Sequence, residues 1–197
     1  MSQAGSRRGR LSREPPNMSA LLQLLNDEGV RYVVTGSAAA MLHGVPLEPG
    51  DLDITPALDR DNLARLARVL EAIDARQDPD APFGDWQIGT DGEQHWIERK
   101  PTPEDIAARA SWKPDPADPA SFDHLLQSRH GAIDVVPTVS GSYDELIPQA
   151  AVTEVDGQQV WIESIADLLT TLTVPRRQKD RGRVEQLRAI QRAREDS

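Results

Sequence analysis

The sequence has no cysteine among its 197 residues. This excludes disulfides, thiolate metal sites and a cysteine nucleophile, so any metal is confined to oxygen or histidine ligands. It also lacks an apolar run long enough to cross a bilayer, and its first ten residues, MSQAGSRRGR, carry arginines without the apolar stretch of a signal peptide. A soluble, cytoplasmic chain without a membrane partner is expected. Lysine is scarce, at Lys100, Lys113 and Lys179 only, and the four histidines, His43, His95, His124 and His130, show no ligand-like spacing. No Ser/His/Asp order supports hydrolysis, and no internal repeat is present. With 38% apolar residues, a chain of this length supports one core and at most a small helical appendage, which implies one compact α/β unit.

Charge is abundant but uneven. The net charge is −10, yet residues 1–17 hold four arginines against one Glu and residues 175–197 hold eight Lys/Arg against four Asp/Glu. The body between them is therefore strongly acidic and the two ends are basic. Such a body disfavours bulk electrostatic binding to nucleic acid, whereas the basic C-terminal segment can supply local phosphate contacts or form a solvated helix face.

Residues 1–17 are polar and arginine-rich and read as a disordered arm. Met18, Leu21, Leu22 and Leu25 follow the spacing of an amphipathic helix, with Asn17 placed to cap it and Gly29 to end it. Val30–Thr35 reads as a strand halted at Gly36-Ser37, and residues 38–43 as a helix. Asp51-Leu52-Asp53-Ile54-Thr55 alternates as a half-buried strand does, and Leu63, Leu66, Ala67, Leu70 and Ile73 mark a further helix. Residues 77–122, rich in Pro, Asp and Gly, read as an irregular insertion with a hairpin around Trp86–Ile88 and Trp96-Ile97. Trp86, Trp96, Trp112 and Trp161 are expected to pack or to anchor the insertion, stacking of Trp86 and Trp96 on a base being the less favoured reading. Ala132–Val136 is an apolar strand carrying Asp134. A hairpin is expected over Val152–Val155 and Gln159–Ile162, turning at Asp156-Gly157. Ser164 and Asp167 cap a helix buried through Ile165, Leu168, Leu169 and Leu172. Pro175 breaks that helix, and a last one uses Val184, Leu187 and Ile190.

The chemistry concentrates between residues 36 and 53. Side chains two apart on a strand share a face, so Asp51 and Asp53 point together while Leu52 and Ile54 enter the core. An isolated Asp-x-Asp is commonly a solvated pair. Two adjacent carboxylates become favourable when divalent cations neutralise them, and hard Mg²⁺ suits carboxylate plus phosphate oxygens. Gly36-Ser37 before a helix offers backbone N–H groups and a hydroxyl to a triphosphate. Asp134, on another apolar strand, can complete the metal site and activate an attacking hydroxyl.

This order of Gly36-Ser37, a spacer, Asp51-Leu52-Asp53-Ile54 and a later Asp134 resembles the signature of the DNA polymerase β-type nucleotidyltransferase superfamily. More narrowly, GVRYVVTGSAAAMLHGVPLEPGDLDITPALDRDNLARLARVLEAI, GAIDVVPTVSGSYDELIPQA and VWIESIADLLTTLTVPRRQKDRGRVEQL resemble bacterial nucleotidyltransferase toxins of the toxin–antitoxin and abortive-infection kind. The resemblance implies an α/β (α+β) polymerase β-like fold with a small mixed sheet, flanking helices and a C-terminal helical segment. It places the nucleotidyltransferase domain at 18–174, interrupted by the insertion at 77–122 and followed by a basic helix at 175–197. It implies that Asp51, Asp53 and Asp134 are catalytic and hold two Mg²⁺ ions, with Mn²⁺ as a substitute, and that Gly36 and Ser37 bind the nucleoside triphosphate. It further implies a tRNA 3′ end as acceptor, translation arrest as the outcome and a cognate antitoxin as partner. The chain departs from the pattern at Leu172, where relatives carry a Lys, and at Arg183, where they carry an Asp. Lys179 or Arg177 is then expected to bind the triphosphate, Lys179 being favoured. The alternatives are a degenerate nucleotide-binding or partner-binding module, and nucleotidylation of a protein.

Overall fold

The computed structural model describes residues 14–88, 94–138, 140–172 and 178–195. The elements in chain order are α1 (Met18–Asp27), β1 (Tyr32–Val34), α2 (Gly36–Leu42), β2 (Leu52–Pro56), α3 (Arg60–Ala72), β3 (Arg76–Gln77), β4 (Phe83–Ile88) and β5 (Gln94–Arg99). They continue with α4 (Pro103–Ala110), β6 (His124–Ser128), β7 (Gly131–Val135), α5 (Tyr143–Leu146), β8 (Ala151–Val155), β9 (Gln158–Ile162), α6 (Ile165–Thr171) and α7 (Gln178–Glu195). Seven strands form one sheet in the order β3-β6-β7-β2-β1-β9-β8, and β4 and β5 pair separately. The sheet is mixed: β2 runs parallel to β7 and β1 parallel to β9, and the other pairs are antiparallel. The molecule is thus a small mixed sheet with flanking helices, the α/β class expected. No helix among the described residues is long and apolar enough to cross a membrane.

The periodic positions find their core. Leu21, Leu22 and Leu25 of α1, and Leu63, Leu66 and Leu70 of α3, are fully or almost fully buried in one cluster with Val34, Leu52, Ile54, Ile133 and Val135 of the strands. Asn17 caps α1, its side chain accepting from the Ala20 N–H at 3.1 Å. Asn62 is buried on α3 with its amide satisfied: it accepts from the Arg31 N–H at 2.7 Å and donates to the carbonyls of Arg31 and Ala57. It ties α3 to the chain on either side of the β1–β2 pair, where an unpartnered amide would cost about 1–3 kcal/mol.

Some features differ from the sequence reading. Residues 14–17 are fastened to the start of β7, the Asn17 N–H donating to the His130 carbonyl and the Ala132 N–H to that of Glu14; residues 1–13 lie outside the described residues. Between 77 and 122 the hairpin is present, and so is the helix α4. Its start was written in Thr102-Pro103-Glu104-Asp105, a capping box with Pro in the first turn. Arg109, at its end, lies over the Phe83 ring and donates to the carbonyls of Pro79 and Ala81, docking α4 on the hairpin. Trp112 donates to the Ser121 carbonyl and packs against the core, whereas Trp161 is 41% exposed. The side chains of Trp86 and Trp96 and the break at Pro175 lie outside the described residues.

Candidate active site

β2 and β7 are hydrogen-bonded neighbours in the middle of the sheet. Their parallel register pairs Leu52 with Ile133, Asp53 with Asp134 and Ile54 with Val135. The apolar partners enter the core, and the two aspartates meet side by side on adjacent strands. Asp51, one residue before β2, joins them: a carboxylate oxygen from each of Asp51, Asp53 and Asp134 lies within 4.8 Å of the others. Asp51 and Asp53 are half-buried, and Asp134 is 2% exposed. One Asp134 oxygen accepts from the Leu126 N–H at 3.2 Å, which fixes the carboxylate across the sheet. Three carboxylates this close, one of them buried, form a donor set of hard oxygen ligands suited to Mg²⁺ or Mn²⁺.

Gly36 opens α2 directly behind Asp53. Its φ is +62°, and an added Cβ would lie 2.5 Å from the Asp53 Oδ2. Only a glycine permits both the left-handed backbone and that approach. Gly36 and Ser37 were expected to offer free N–H groups, but the Gly36 N–H donates to the Glu163 Oε2 at 3.1 Å. Glu163 reaches this position because β9 runs parallel to β1, pairing Ile162 with Val34 and carrying the Glu163 N–H to the Val34 carbonyl. It is fully buried, and burial raises its carboxyl to about 7 against the partial opposition of hydrogen bonds with the Gly36 N–H and the Ser140 and Thr171 side chains.

Gly36, Asp53 and Glu163 line a cavity of about 130 Å³, together with Ser140, Thr171, Leu172 and Arg183 among others. It has room for phosphate-sized groups and is smaller than the roughly 300–1,000 Å³ of a complete small-molecule site. A larger open depression of about 350 Å³ lies beside Glu71, Asp74, Arg76, Trp112 and Lys113. Its charges balance and it contains none of the three aspartates, whereas the smaller cavity is lined by Asp53.

His43 is buried at the end of α2. Its Nε2–H donates to the Glu163 carbonyl at 2.8 Å, which leaves Nδ1 to accept from Arg194 of α7 at 3.2 Å. Burial lowers its pKa, in keeping with this neutral tautomer. Ser37 is half-buried in the first turn of α2. Lys179 is on α7 but its side chain, like the whole of Arg177, lies outside the described residues. Sequence reasoning missed Glu163, whose place depends on the β1–β9 pairing. It read Arg183 as a departure from the pattern and as one of several basic residues of the C-terminal segment without singling it out, although Arg183 shares a helical face with Leu187 and Ile190 at i, i+4 and i+7.

No protein-family model matches the sequence, and no curated protein matches it significantly. Among solved structures, the chain is similar to a Thermotoga maritima protein described as a nucleotidyltransferase, at 15% identity and a TM-score of 0.46, covering 91% of each chain. It is similar to an antigenic nucleotidyltransferase-like protein from Paracoccidioides brasiliensis at 16% identity and a TM-score of 0.43, covering 90% of this chain and 77% of that one. It is also similar to the antibiotic-resistance factor ANT(2'')-Ia at 15% identity and a TM-score of 0.46, covering 91% of each.

Proposed function

We propose that this protein is a metal-dependent nucleotidyltransferase that transfers a nucleoside monophosphate from a nucleoside triphosphate to an acceptor hydroxyl. The observation that carries this reading is the β2–β7 register, which sets Asp134 beside Asp53 with Asp51 in reach, Asp53 itself lining a phosphate-sized cavity. Asp51, Asp53 and Asp134 would hold two divalent ions, which when bound neutralise the phosphate oxygens and lower the pKa of the attacking hydroxyl. Asp134, buried and oriented by the Leu126 N–H, positions the acceptor hydroxyl and takes its proton. The acceptor oxygen bonds to the α-phosphorus as the bond to the bridging oxygen breaks, and pyrophosphate leaves with that electron pair. Gly36 and Ser37 line the approach of the triphosphate, and Gly36 keeps α2 against the Asp53 carboxylate.

In the finer reading the acceptor is a tRNA 3′ end, the consequence is arrest of translation, and a cognate antitoxin restrains the protein in a cytoplasmic setting. It rests on the sequence resemblance in the 29–73, 131–150 and 160–187 segments. Transfer to a protein hydroxyl would use the same carboxylates and differ only in acceptor. The test is incubation with each α-labelled triphosphate, Mg²⁺ and bulk tRNA, followed by intact-mass measurement of RNA and protein and an assay of released pyrophosphate. Label on tRNA supports the finer reading and label on protein redirects it. Nucleotide binding without pyrophosphate release, in wild type and in Asp53→Asn alike, reduces the chain to a nucleotide-binding or partner-binding module.

A further inference from the structure

The cavity beside Asp53 is lined by two carboxylates, Asp53 and Glu163, so an anion entering it needs a cation from its wall. α6 offers none there, since Leu172 at its end lines the cavity with an apolar side chain. Arg183 of α7 is the only basic side chain lining it among the described residues. Its Nε is buried and has no hydrogen-bond partner among the described residues. A buried guanidinium N–H left unpaired is destabilising, and an acceptor brought by a ligand would offset that cost.

Arg183 is held in place by the rest of its helix. Arg183, Leu187, Ile190 and Arg194 fall at i, i+4, i+7 and i+11, on one face. Leu187 is fully buried, Ile190 packs against the core near Gly44, and Arg194 donates to His43 Nδ1 and to the His43 carbonyl. From Arg183 to Ile190 this face is therefore docked, in contrast to Glu185, Gln186, Arg188 and Ala189, which are exposed, and Arg194 is exposed but hydrogen-bonded.

Resting on the nucleotidyltransferase reading, we infer that Arg183 is the residue that grips the terminal phosphates of the nucleoside triphosphate and accompanies them as pyrophosphate leaves. Guanidinium is suited to this because its planar fork donates two parallel hydrogen bonds to a phosphate and stays charged throughout. The assignment moves the triphosphate cation from the segment of Arg177 and Lys179 to the docked face of α7.

The test uses inorganic tripolyphosphate with Mg²⁺, which reads the phosphate grip without any base, alongside ATP, in calorimetric titrations of the full chain. Arg183→Gln is expected to weaken tripolyphosphate binding about tenfold to a hundredfold while leaving Mn²⁺ uptake at the aspartates unchanged. Adding Leu172→Lys, which returns a cation to the same cavity from α6, is expected to recover part of the loss; a merely structural role for Arg183 would show no such rescue. Arg188→Gln, on the exposed face, is the control and should bind as wild type. If Asp53→Asn abolishes tripolyphosphate binding but Arg183→Gln preserves it, or if Lys179→Ala carries the loss instead, the inference is overturned and the nucleotidyltransferase reading stands. Wild-type protein that takes up Mn²⁺ but neither tripolyphosphate nor ATP overturns both.

Discussion

Gly36 bears two constraints at one atom. Its left-handed backbone and the approach of Asp53 Oδ2 to within 2.5 Å of an added Cβ both forbid a side chain. Gly36→Ala is expected to destabilise the fold by about 1–3 kcal/mol, in the range of backbone strain plus a local clash. Because the clash is with one carboxylate, Asp53→Ala in the same chain should recover part of that loss; strictly additive urea-denaturation energies would show that Asp53 does not hold Gly36. Glu163 makes a prediction in pH. Its unfolded-state value is the ordinary 4.5 and its folded value is raised to about 7 by burial. Its neutral form therefore contributes stability that is full below 4.5 and is lost as pH rises to about 7, a change of up to roughly 3 kcal/mol. Denaturant midpoints at pH 5 and pH 8 should differ more in wild type than in Glu163→Gln, which cannot ionise. Equal differences would mean the carboxyl is not the group being titrated.

At the scale of elements, the site depends on how α7 is fastened. It meets α6, and its far end is clamped to α2 through Arg194 and His43, so the helix spans from the cavity wall to the end of α2. Leu187 is the buried centre of that contact. Leu187→Ala should cost about 2–5 kcal/mol, the usual range for truncating a buried leucine, and amide exchange should rise along α7 more than in β2 or β7. Uniform protection in all three would show that α7 is held by something other than this face. The sheet is robust for a different reason: β2 and β7 are bounded on both sides by paired strands, so the aspartates sit on backbone that cannot fray as an edge strand does.

For the molecule as a whole, net charge −10 with three carboxylates converging on one face sets a repulsion that a divalent ion relieves. An ion that binds the folded chain alone stabilises it by about 2.7 kcal/mol at a hundred times its Kd. Mg²⁺ should therefore raise the Tm well beyond what NaCl of equal ionic strength does. Asp53→Asn should abolish that rise and, without metal, match or exceed wild type in Tm, since a like charge has been removed. A Mg²⁺ response that survives in Asp51→Asn/Asp53→Asn would place the ion elsewhere. The acidic body also means that any RNA contact is local, and its salt slope should count only a few phosphates.

What the sequence determined was local. The spacing of Leu21, Leu22 and Leu25, the cap at Asn17, the Asp156-Gly157 turn and the shared face of Asp51 and Asp53 follow from helix and strand geometry acting over a few residues, and each is found in the fold. The start of α4 at Thr102–Asp105 was equally local and was overlooked among the prolines around it. What only the tertiary structure decided was which distant strands lie side by side. That β7 rather than another apolar strand pairs with β2, so that Asp134 meets Asp53, is fixed by the packing of Ile133 and Val135 into the common core. That β9 runs beside β1, bringing Glu163 onto Gly36, and that α7 turns Arg183 inward, are decided the same way. Parallel neighbours are joined by long crossovers, and no short-range periodicity in the chain encodes which strand a crossover will reach.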